Sequence, residues 1–302
     1  MIAFVVAGRP LPDRLGARMT RLFSLVFLCL SLPAFAQRTL TDDLGRSVTV
    51  PDHPHRLICL MPNLVDDVYA LGEGSAIVAV TDYTKYPLAA KTKPTVGLPL
   101  SPSLETIVSL HPDLVLAGGE PDIGKKLDEL QKAKIPVFAV AAHGIEGIYH
   151  SIASVGLALN REQQATALVG KLRDRVAAVQ RRVAGKPVVN VLMPIWYDPV
   201  ITIGKDAYIT DLIAIAGGHS VTSDLPGEWP KISLDDVKAR APEALVLVRE
   251  GRMSVKVLST SPGWVTLAAV KNNRIYWIDD RIEHTSPVAI DGLEDLAKQL
   301  HP

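Results

Sequence analysis

The chain has 302 residues, of which 48% are hydrophobic and 21% are charged, and its formal net charge is zero. This composition is typical of a globular protein with room for two domains of ordinary size. The first 36 residues hold four Arg and one Asp, so the rest carries 28 basic and 31 acidic residues, a net charge of −3. That charge gives no sign of a surface for nucleic acid, which is therefore not an expected partner.

The N-terminus is predicted to be a secretory signal peptide. A basic start precedes the apolar run 22–32, and Ala34-Phe35-Ala36 has the small-x-small pattern of a cleavage site. The apolar run of 11 residues is too short to span a bilayer. We expect residues 1–36 to be removed near Ala36, with translation starting at Met1 or at Met19, and the mature protein to be exported.

The two cysteines predict no disulfide. Cys29 lies inside the predicted signal peptide, and Leu28 stands where a lipoprotein acceptor Cys needs a small residue. Cys59 lies in the apolar run 57–61 and is predicted to be a buried, free thiol. The mature protein is expected to rely on packing alone.

The elements predicted for the first lobe are a hairpin turn over 43–46, a strand over 57–61, a helix over 63–71, a strand over 77–80, a loop over 81–87, a helix near 123–132 and a strand over 136–140. Asn63 and Asp66 have the spacing of a capping box at the start of the first helix.

One helix-to-strand unit occurs twice, 130 residues apart. Ser103-Leu104-Glu105 leads to Pro112 and the run 114–116, and Ser233-Leu234-Asp235 leads to Pro242 and the run 245–247. Both Ser residues are predicted N-caps. The predicted inward-facing residues are Leu104, Ile107, Val108, Leu110, Leu234, Val237 and Ala241. The apolar runs do not alternate, which is typical of parallel strands buried on both faces.

Between the two copies lies a helical tract over 148–183 with a polar interruption at Asn160-Arg161-Glu162. Apolar residues recur at helical spacing after the interruption, and residues 162–184 would extend about 35 Å. We expect a rigid strut between two lobes. The remaining predicted elements are a strand over 188–193, a loop over 194–199, a strand over 200–203, a helix over 209–216, a strand over 274–278 and a helix over 289–300.

Strands that alternate with helices predict an α/β fold with two doubly wound lobes, mostly parallel sheets and one long connecting helix. The predicted domains are an N-terminal lobe over 37–147, a helical tract over 148–184 and a C-terminal lobe over 185–302.

Several segments in their order resemble a known family. They are TDDLGRSVTVPDHPHRLICL, SLETIVSLHPDLVLAGG and WVTLAAVKNNRIY, together with the long uninterrupted helix. This pattern is similar to the periplasmic substrate-binding proteins of iron-chelate and cobalamin importers. The resemblance implies a monomeric periplasmic receptor that carries a ligand between two lobes and delivers it to a permease driven by a cytoplasmic ATPase.

The resemblance also implies a docking role for one acid on each lobe, which meets Arg residues of the permease. The matching positions are Glu105 and Asp235, the second of which is commonly Glu in the family. Acids in a first helical turn also stabilise the helix by themselves, so that interpretation stays open.

Ligands of open α/β sheets lie beyond the carboxyl ends of strands. The loops predicted at these ends cover 62–63, 82–86, 98–102, 194–198, 226–231, 250–252 and 281–285. Their aromatic residues are Tyr83, Tyr86, Trp196, Tyr197 and Trp229. Such side chains suit a large flat chelate such as a corrin or a porphyrin, and the resemblance places Tyr83 and Trp229 at corrinoid-contacting positions. Trp264 and Trp277 are assigned to packing.

The lead hypothesis is a corrinoid receptor, and the alternative is a haem or ferric-siderophore receptor. His284 could bind a haem iron, and Arg249 and Arg252 its propionates, although His284 could equally be structural. No dedicated metal site or resident cofactor is expected, since the metal would arrive within the ligand.

An enzyme is not expected, because Gly72-x-Gly74 lacks the third glycine of a dinucleotide site and no G-x-S-x-G segment occurs. A chelatase using Glu283 and His284, or an adaptor that has lost its ligand, are the remaining alternatives.

Overall fold

The computed structural model describes residues 36–119, 124–249, 258 and 260–302. The predicted signal peptide up to residue 35 and the predicted loop over 250–252 lie outside these residues. Within the described ranges, no helix combines the length and the apolar character needed to cross a membrane.

The first lobe contains eight described strands: β1 Gln37–Thr41, β2 Ser47–Pro51, β3 Leu57–Cys59, β4 Ile77–Ala79, β5 Gly97–Leu98, β6 Ser101–Pro102, β7 Leu114–Gly118 and β8 Val137–Val140. Its described helices are α1 Pro62–Ala70, α2 Leu88–Lys91, α3 Leu104–Ser109 and α4 Gly124–Lys132. Two long helices follow, α5 Gly144–Ala158 and α6 Glu162–Val183. The break between them falls at the predicted interruption.

The second lobe contains β9 Val189–Leu192, β10 Pro194–Tyr197, β11 Val200–Thr202, β12 Gly218–Ser220, β13 Lys231–Ile232, β14 Ala244–Val248 and β15 Ile275–Ile278. Its described helices are α7 Tyr208–Ile215, α8 Leu234–Arg240, α9 Ala268–Lys271 and α10 Ala289–Leu300. The final helix has the predicted bounds.

The two main sheets have the same topology. The order is β4-β3-β7-β8 in the first lobe and β12-β9-β14-β15 in the second, and all neighbouring strands are parallel. If the four strands of each main sheet are numbered in chain order, both sheets have the order second, first, third, fourth. The prediction of a two-lobed α/β fold with parallel sheets is therefore confirmed, and the repeated unit occupies the third strand of each sheet.

Both third strands are buried on two faces, as their apolar runs predicted. Leu114 and Leu116 of β7 pack into a core that both lobes share, whereas Val115 and Ala117 pack under α3 and α4. In β14, Val246 joins the shared core from the second lobe. Each sheet thus has one face in a shared interior and one in its own outer layer.

The shared core runs through the connecting helices. Helix α5 contacts α1 in the first lobe and α7 in the second, and α6 contacts α5 and α10. Leu172, Val176 and Val179 form the buried stripe of α6. Arg175 on the same helix reaches Glu294 at 2.8 Å and Asp291 at 2.6 Å in α10. The long helix is therefore packed against α5 and against α10 of the second lobe.

The two predicted N-caps are confirmed. The Ser103 Oγ accepts a bond from the backbone N–H of Thr106 at 3.2 Å, and the Ser233 Oγ accepts one from Asp236 at 3.0 Å. Asp236 also accepts the backbone N–H of Ser233, which completes a capping box in the second copy only. These bonds satisfy amide groups that the first helical turn leaves free.

Three local predictions are wrong. The capping box of Asn63 and Asp66 does not form, because α1 begins with Pro62, which needs no partner for an N–H, and Asp66 is buried instead. Val108 is 43% exposed, and Ala241 is exposed in a left-handed conformation that ends α8. Helices of six and seven residues direct too few side chains inward for a long buried stripe.

The segment 194–199, predicted as a loop, is also different. It forms β10 and the turn of a hairpin with β11, and β13 extends this into a three-stranded antiparallel sheet. Strand β10 pairs with β11 across a two-residue turn, in positions three to eight apart, whereas β11 and β13 pair over 30 to 32 positions. Aromatic and β-branched residues on both sides of the turn favour this local pairing.

Cys59 is fully buried and free, as predicted. Beside it in the same core lies Asp67, whose side chain is also fully buried. Burial raises the pKa of the Asp67 carboxyl well above its usual range, and the charge of Asp66 adds to this effect. A hydrogen bond from the Ser151 hydroxyl, 2.5 Å from Oδ2, opposes it in part. The folded protein therefore keeps Asp67 protonated at pH values at which the unfolded chain has released that proton.

Because Asp67 retains its proton in the folded state, the stability of the protein is predicted to depend on pH. Above the unfolded pKa near 3.8, the folded state holds more protons than the unfolded state, so the free energy of unfolding falls as the pH rises. We expect Asp67→Asn to match the wild type near pH 4 and to be more stable by about 1–3 kcal/mol at pH 8. Urea denaturation at several pH values measures this difference. Asp211→Asn, at an exposed acid, is the control, and parallel pH profiles of Asp67→Asn and wild type would contradict the assignment.

Candidate functional site

The lobes touch at the carboxyl ends of β4 and β15. The loop after β4 carries Lys85, whose Nζ lies 3.0 Å from Oδ2 of Asp280, in the short 3-10 helix Asp280–Glu283 that follows β15. Asp280 is almost completely buried. This ion pair joins residues 195 positions apart and links the two lobes.

A second cross-lobe contact centres on Asp66 in α1. Its Oδ2 lies 2.8 Å from Nδ1 of His284 and accepts the Ser286 hydroxyl at 2.9 Å. Because Asp66 is buried, both partners compensate for the removal of the carboxylate from water. The contact ties α1 of the first lobe to the segment that precedes α10.

The sequence pattern did not indicate that Asp66 and Ser286 belong to this region. The available signal was the acid pair Asp66-Asp67 within the otherwise apolar stretch 64–68 of a predicted helix. An acid on the buried face of a helix requires a polar partner from elsewhere in the fold. No local pattern indicates which residue that partner is.

The structure brings two predicted ligand residues together at this junction. The rings of Tyr86 and His284 have centroids 6.4 Å apart with an edge-on arrangement. The Arg281 guanidinium lies 5.8 Å from the centroid of the Tyr86 ring. An imidazole, a phenol and a guanidinium therefore converge where the lobes meet, and their role towards a ligand stays a prediction.

Trp196 and Tyr197 form a second pair on the β10–β11 hairpin. Their rings stack with centroids 5.3 Å apart, and Nε1 of Trp196 donates to the carbonyl of Asp198 at 2.8 Å. Tyr197 also lines a pocket of about 430 Å³ together with Leu234 and Trp264. Trp264 itself is buried, which confirms its predicted packing role.

Tyr83 and Trp229 are the two most exposed of the predicted aromatics. Tyr83 is 62% exposed and Trp229 is 46% exposed, and neither makes a hydrogen bond or a ring contact with another residue in the described ranges. Tyr83 follows β4 and Trp229 follows β12, which are the equivalent strands of the two lobes. Each lobe thus presents one exposed aromatic ring from the segment that follows the second strand of its main sheet.

The loop that carries Trp229 is held firmly against the turn after β11. The N–H of Gly204 donates to the carbonyl of Glu228 at 2.9 Å, and that of Thr202 donates to Pro230 at 3.1 Å. The backbone can approach this closely because Gly204 has no side chain. A Cβ there would collide with the carbonyl of Gly227 and lie 2.8 Å from that of Leu225. The fold therefore presents an exposed indole on a rigid base.

Glu105 and Asp235 occupy the second position of α3 and α8, respectively. Each helix runs back before a parallel strand, so its N-terminus lies at the carboxyl edge of its sheet. This is the edge that also carries the aromatic loops. Both acids are exposed, and Oδ1 of Asp235 lies 2.8 Å from Nζ of Lys238.

Among the described residues, metal-binding side chains in this region form pairs at most, such as Asp66 with His284. In the part of the chain that the structure describes, no group of three or more His, Cys, Asp or Glu side chains could hold a metal ion. A single imidazole such as His284 can complete the coordination of a metal that is already held by a chelating ring.

Comparison with known proteins finds relatives that are named as substrate-binding or vitamin-binding proteins. The chain is 29% identical over 273 residues to an uncharacterized ABC transporter substrate-binding lipoprotein of Bacillus subtilis, with 87% of this chain and 85% of the relative covered. It is 26% identical over 255 residues to a vitamin B12-binding protein of Pectobacterium atrosepticum, with 82% and 88% covered.

Among solved structures, a periplasmic heme-binding protein of Roseiflexus sp. superposes with a TM-score of 0.74 at 25% identity, covering 82% of this chain and 98% of that protein. The family model for periplasmic binding proteins matches residues 57–282. Members of this family are solute-binding proteins, which confirms the prediction that the chain is not an enzyme. With the match extending over most of its length, the chain belongs to the periplasmic binding protein family.

Proposed function

We propose that this protein is the receptor of an ABC importer, and that it captures a corrinoid between its lobes. The observation that carries this proposal is the pair of exposed aromatics, Tyr83 and Trp229, one on each lobe in the segment after the second strand of its main sheet. Relatives named as vitamin B12-binding proteins support the ligand class. The protein is expected to work as a periplasmic monomer after removal of its signal peptide near Ala36.

A flat macrocycle can bind between two apolar side chains that contact it from opposite sides. Tyr83 and Trp229 can each cover a ligand face or edge, and their polar tips can bind peripheral amide groups. Tyr86, Trp196 and Tyr197 supply further aromatic surface at the same edge of the sheets. Because the Trp229 loop is already pinned by backbone hydrogen bonds, little conformational entropy is lost when a ligand binds to it.

A haem ligand is the second candidate, and His284 favours it. A buried carboxylate at Nδ1 orients an imidazole and increases its basicity, so that Nε2 can bind a metal. Asp66 stands in this relation to His284 at 2.8 Å. The metal would be part of the cargo. The same imidazole could equally meet the cobalt of a corrinoid.

For delivery, we infer that Glu105 and Asp235 pair with basic side chains of the permease. Their exposure and their shared position at the carboxyl edges of the sheets support this role. The competing explanation is that each acid only stabilises its own helix start, which is worth about 0.3–1 kcal/mol.

Ligand identity is tested by titrating residues 37–302 with cyanocobalamin, haemin and a ferric hydroxamate. We expect cyanocobalamin to quench tryptophan fluorescence with a Kd in the micromolar range or below, because Trp229 would lie against the ring. Haemin binding alone, with a Soret shift that His284→Ala removes, would select the haem alternative. Failure of all three ligands to bind would contradict the proposal.

The two exposed aromatics are tested by Tyr83→Ala and Trp229→Ala. Each substitution should weaken corrinoid binding about tenfold, which corresponds to the loss of one aromatic contact of about 1–1.5 kcal/mol. The midpoint of thermal unfolding should change little, because neither ring belongs to a hydrophobic cluster of the described residues. Val188→Ala removes another exposed apolar side chain outside the aromatic loops and is the matched control. Equal affinities in all three variants would exclude both rings from the site.

Gly204 tests whether the Trp229 loop must be rigid. Gly204→Ala should displace the 225–230 segment and lower ligand affinity by about tenfold or more, because the new methyl group overlaps backbone carbonyls. Isothermal titration calorimetry measures the affinity, and circular dichroism reports whether the fold is kept. Gly170→Ala is the control, since no atom lies within 4 Å of a Cβ at that position in α6. A folded Gly204→Ala variant with wild-type affinity would contradict this assignment.

A further inference from the structure

The two proposed docking acids have different neighbours. The 130-residue offset of the repeat aligns Glu105 with Asp235 and Val108 with Lys238. Residues three apart on a helix lie on the same face, so position 108 or 238 faces the same partner as the acid. The two lobes therefore offer chemically different surfaces at equivalent sites.

In the C-terminal lobe the acid is already paired. Lys238 Nζ lies 2.8 Å from Asp235 Oδ1, although the carboxylate is 89% exposed. A basic side chain of a partner must share this carboxylate with the ammonium group or displace it. Repulsion between two cations a few ångströms apart in water weakens such a contact by about three- to fivefold. Asp235 is also one methylene shorter than Glu105.

In the N-terminal lobe the acid shares its helix face with an exposed apolar side chain. Glu105 has no hydrogen bond or ion pair from any side chain in the described ranges. Val108 is 43% exposed on the same helix face. Leu98 and Leu100 are 43% and 57% exposed in the β5–β6 hairpin, which ends at Pro102, directly before the cap of α3. When such a surface is covered, water is excluded around the carboxylate and its attraction for a cation increases.

We propose that the receptor docks unequally, with the N-terminal lobe as the stronger side. This inference rests on the proposed docking role of Glu105 and Asp235. The partner surface that fits the N-terminal lobe is a basic side chain surrounded by apolar residues, because it must match Glu105, Val108 and Leu100. Lys238 acts as a competitor that weakens the contact of the C-terminal lobe.

Because positions 108 and 238 correspond in the repeat, their residues can be exchanged between the lobes as a test. Lys238→Val gives the C-terminal lobe the residue of the N-terminal lobe, and Val108→Lys does the reverse. Fluorescently labelled residues 37–302 are bound to spheroplasts of the native host that lack their own copy of this protein. We expect Glu105→Gln to weaken binding at least threefold more than Asp235→Asn. Lys238→Val should tighten binding about three- to fivefold and Val108→Lys should weaken it by a similar factor.

The double exchange Val108→Lys with Lys238→Val provides the most direct test. In that background the ranking should invert, so that Asp235→Asn costs more binding than Glu105→Gln. Raising the salt concentration should reduce the contribution of the C-terminal lobe more than that of the N-terminal lobe, because Lys238 replaces the apolar Val108 beside its acid. All substituted positions are exposed, and thermal unfolding confirms that each variant is folded.

Two results would overturn the inference in different ways. Equal losses for Glu105→Gln and Asp235→Asn, with no effect of Lys238→Val, would show that docking is symmetric. Unchanged binding of the Glu105→Lys/Asp235→Lys variant would refute the docking role itself, and the inference with it. Corrinoid titration of the same purified variants is independent of docking, so ligand capture is judged separately.

Discussion

The positions of all the functional residues depend on the apolar core that both lobes share through α5 and α6. One face of each parallel sheet packs into this core, and α6 contacts α5 on one side and α10 on the other. Separating the lobes would expose the buried stripe of Leu172, Val176 and Val179 to water, at a cost of roughly 1.5–3 kcal/mol for each side chain. The two carboxyl edges are consequently held in a nearly fixed relation.

This restraint explains how polar groups can be buried where the lobes meet. Asp66 and Asp280 each lose hydration, and each recovers an interaction with the opposite lobe, through His284 and Lys85 respectively. Such pairs are stabilising only when their geometry is well maintained, which a rigid junction provides. The exposed aromatics therefore stand on loops of a scaffold whose two lobes are already joined at this junction.

The same repeat serves architecture and recognition differently. As architecture, the two copies are close equivalents, with capped short helices and third strands buried on both faces. On the protein surface the two copies differ, because an exposed position three residues after the acid can change without affecting the core. Val108 and Lys238 occupy that position. The fold therefore constrains the two copies equally, whereas contact with a partner can require different residues at positions 108 and 238.

Sequence by itself determined what depends on short-range chemistry: the Ser103 and Ser233 caps, the doubly buried runs, the helix break near Asn160 and the loops that carry Tyr83 and Trp229. These follow from side-chain hydrogen bonding and apolar spacing within about ten residues. Only the tertiary structure decided that Asp66 binds His284, 218 positions away, and that Tyr86 meets the same ring. Each of these depends on a partner brought near by packing of the shared core, and local sequence carries no information about the identity of that partner.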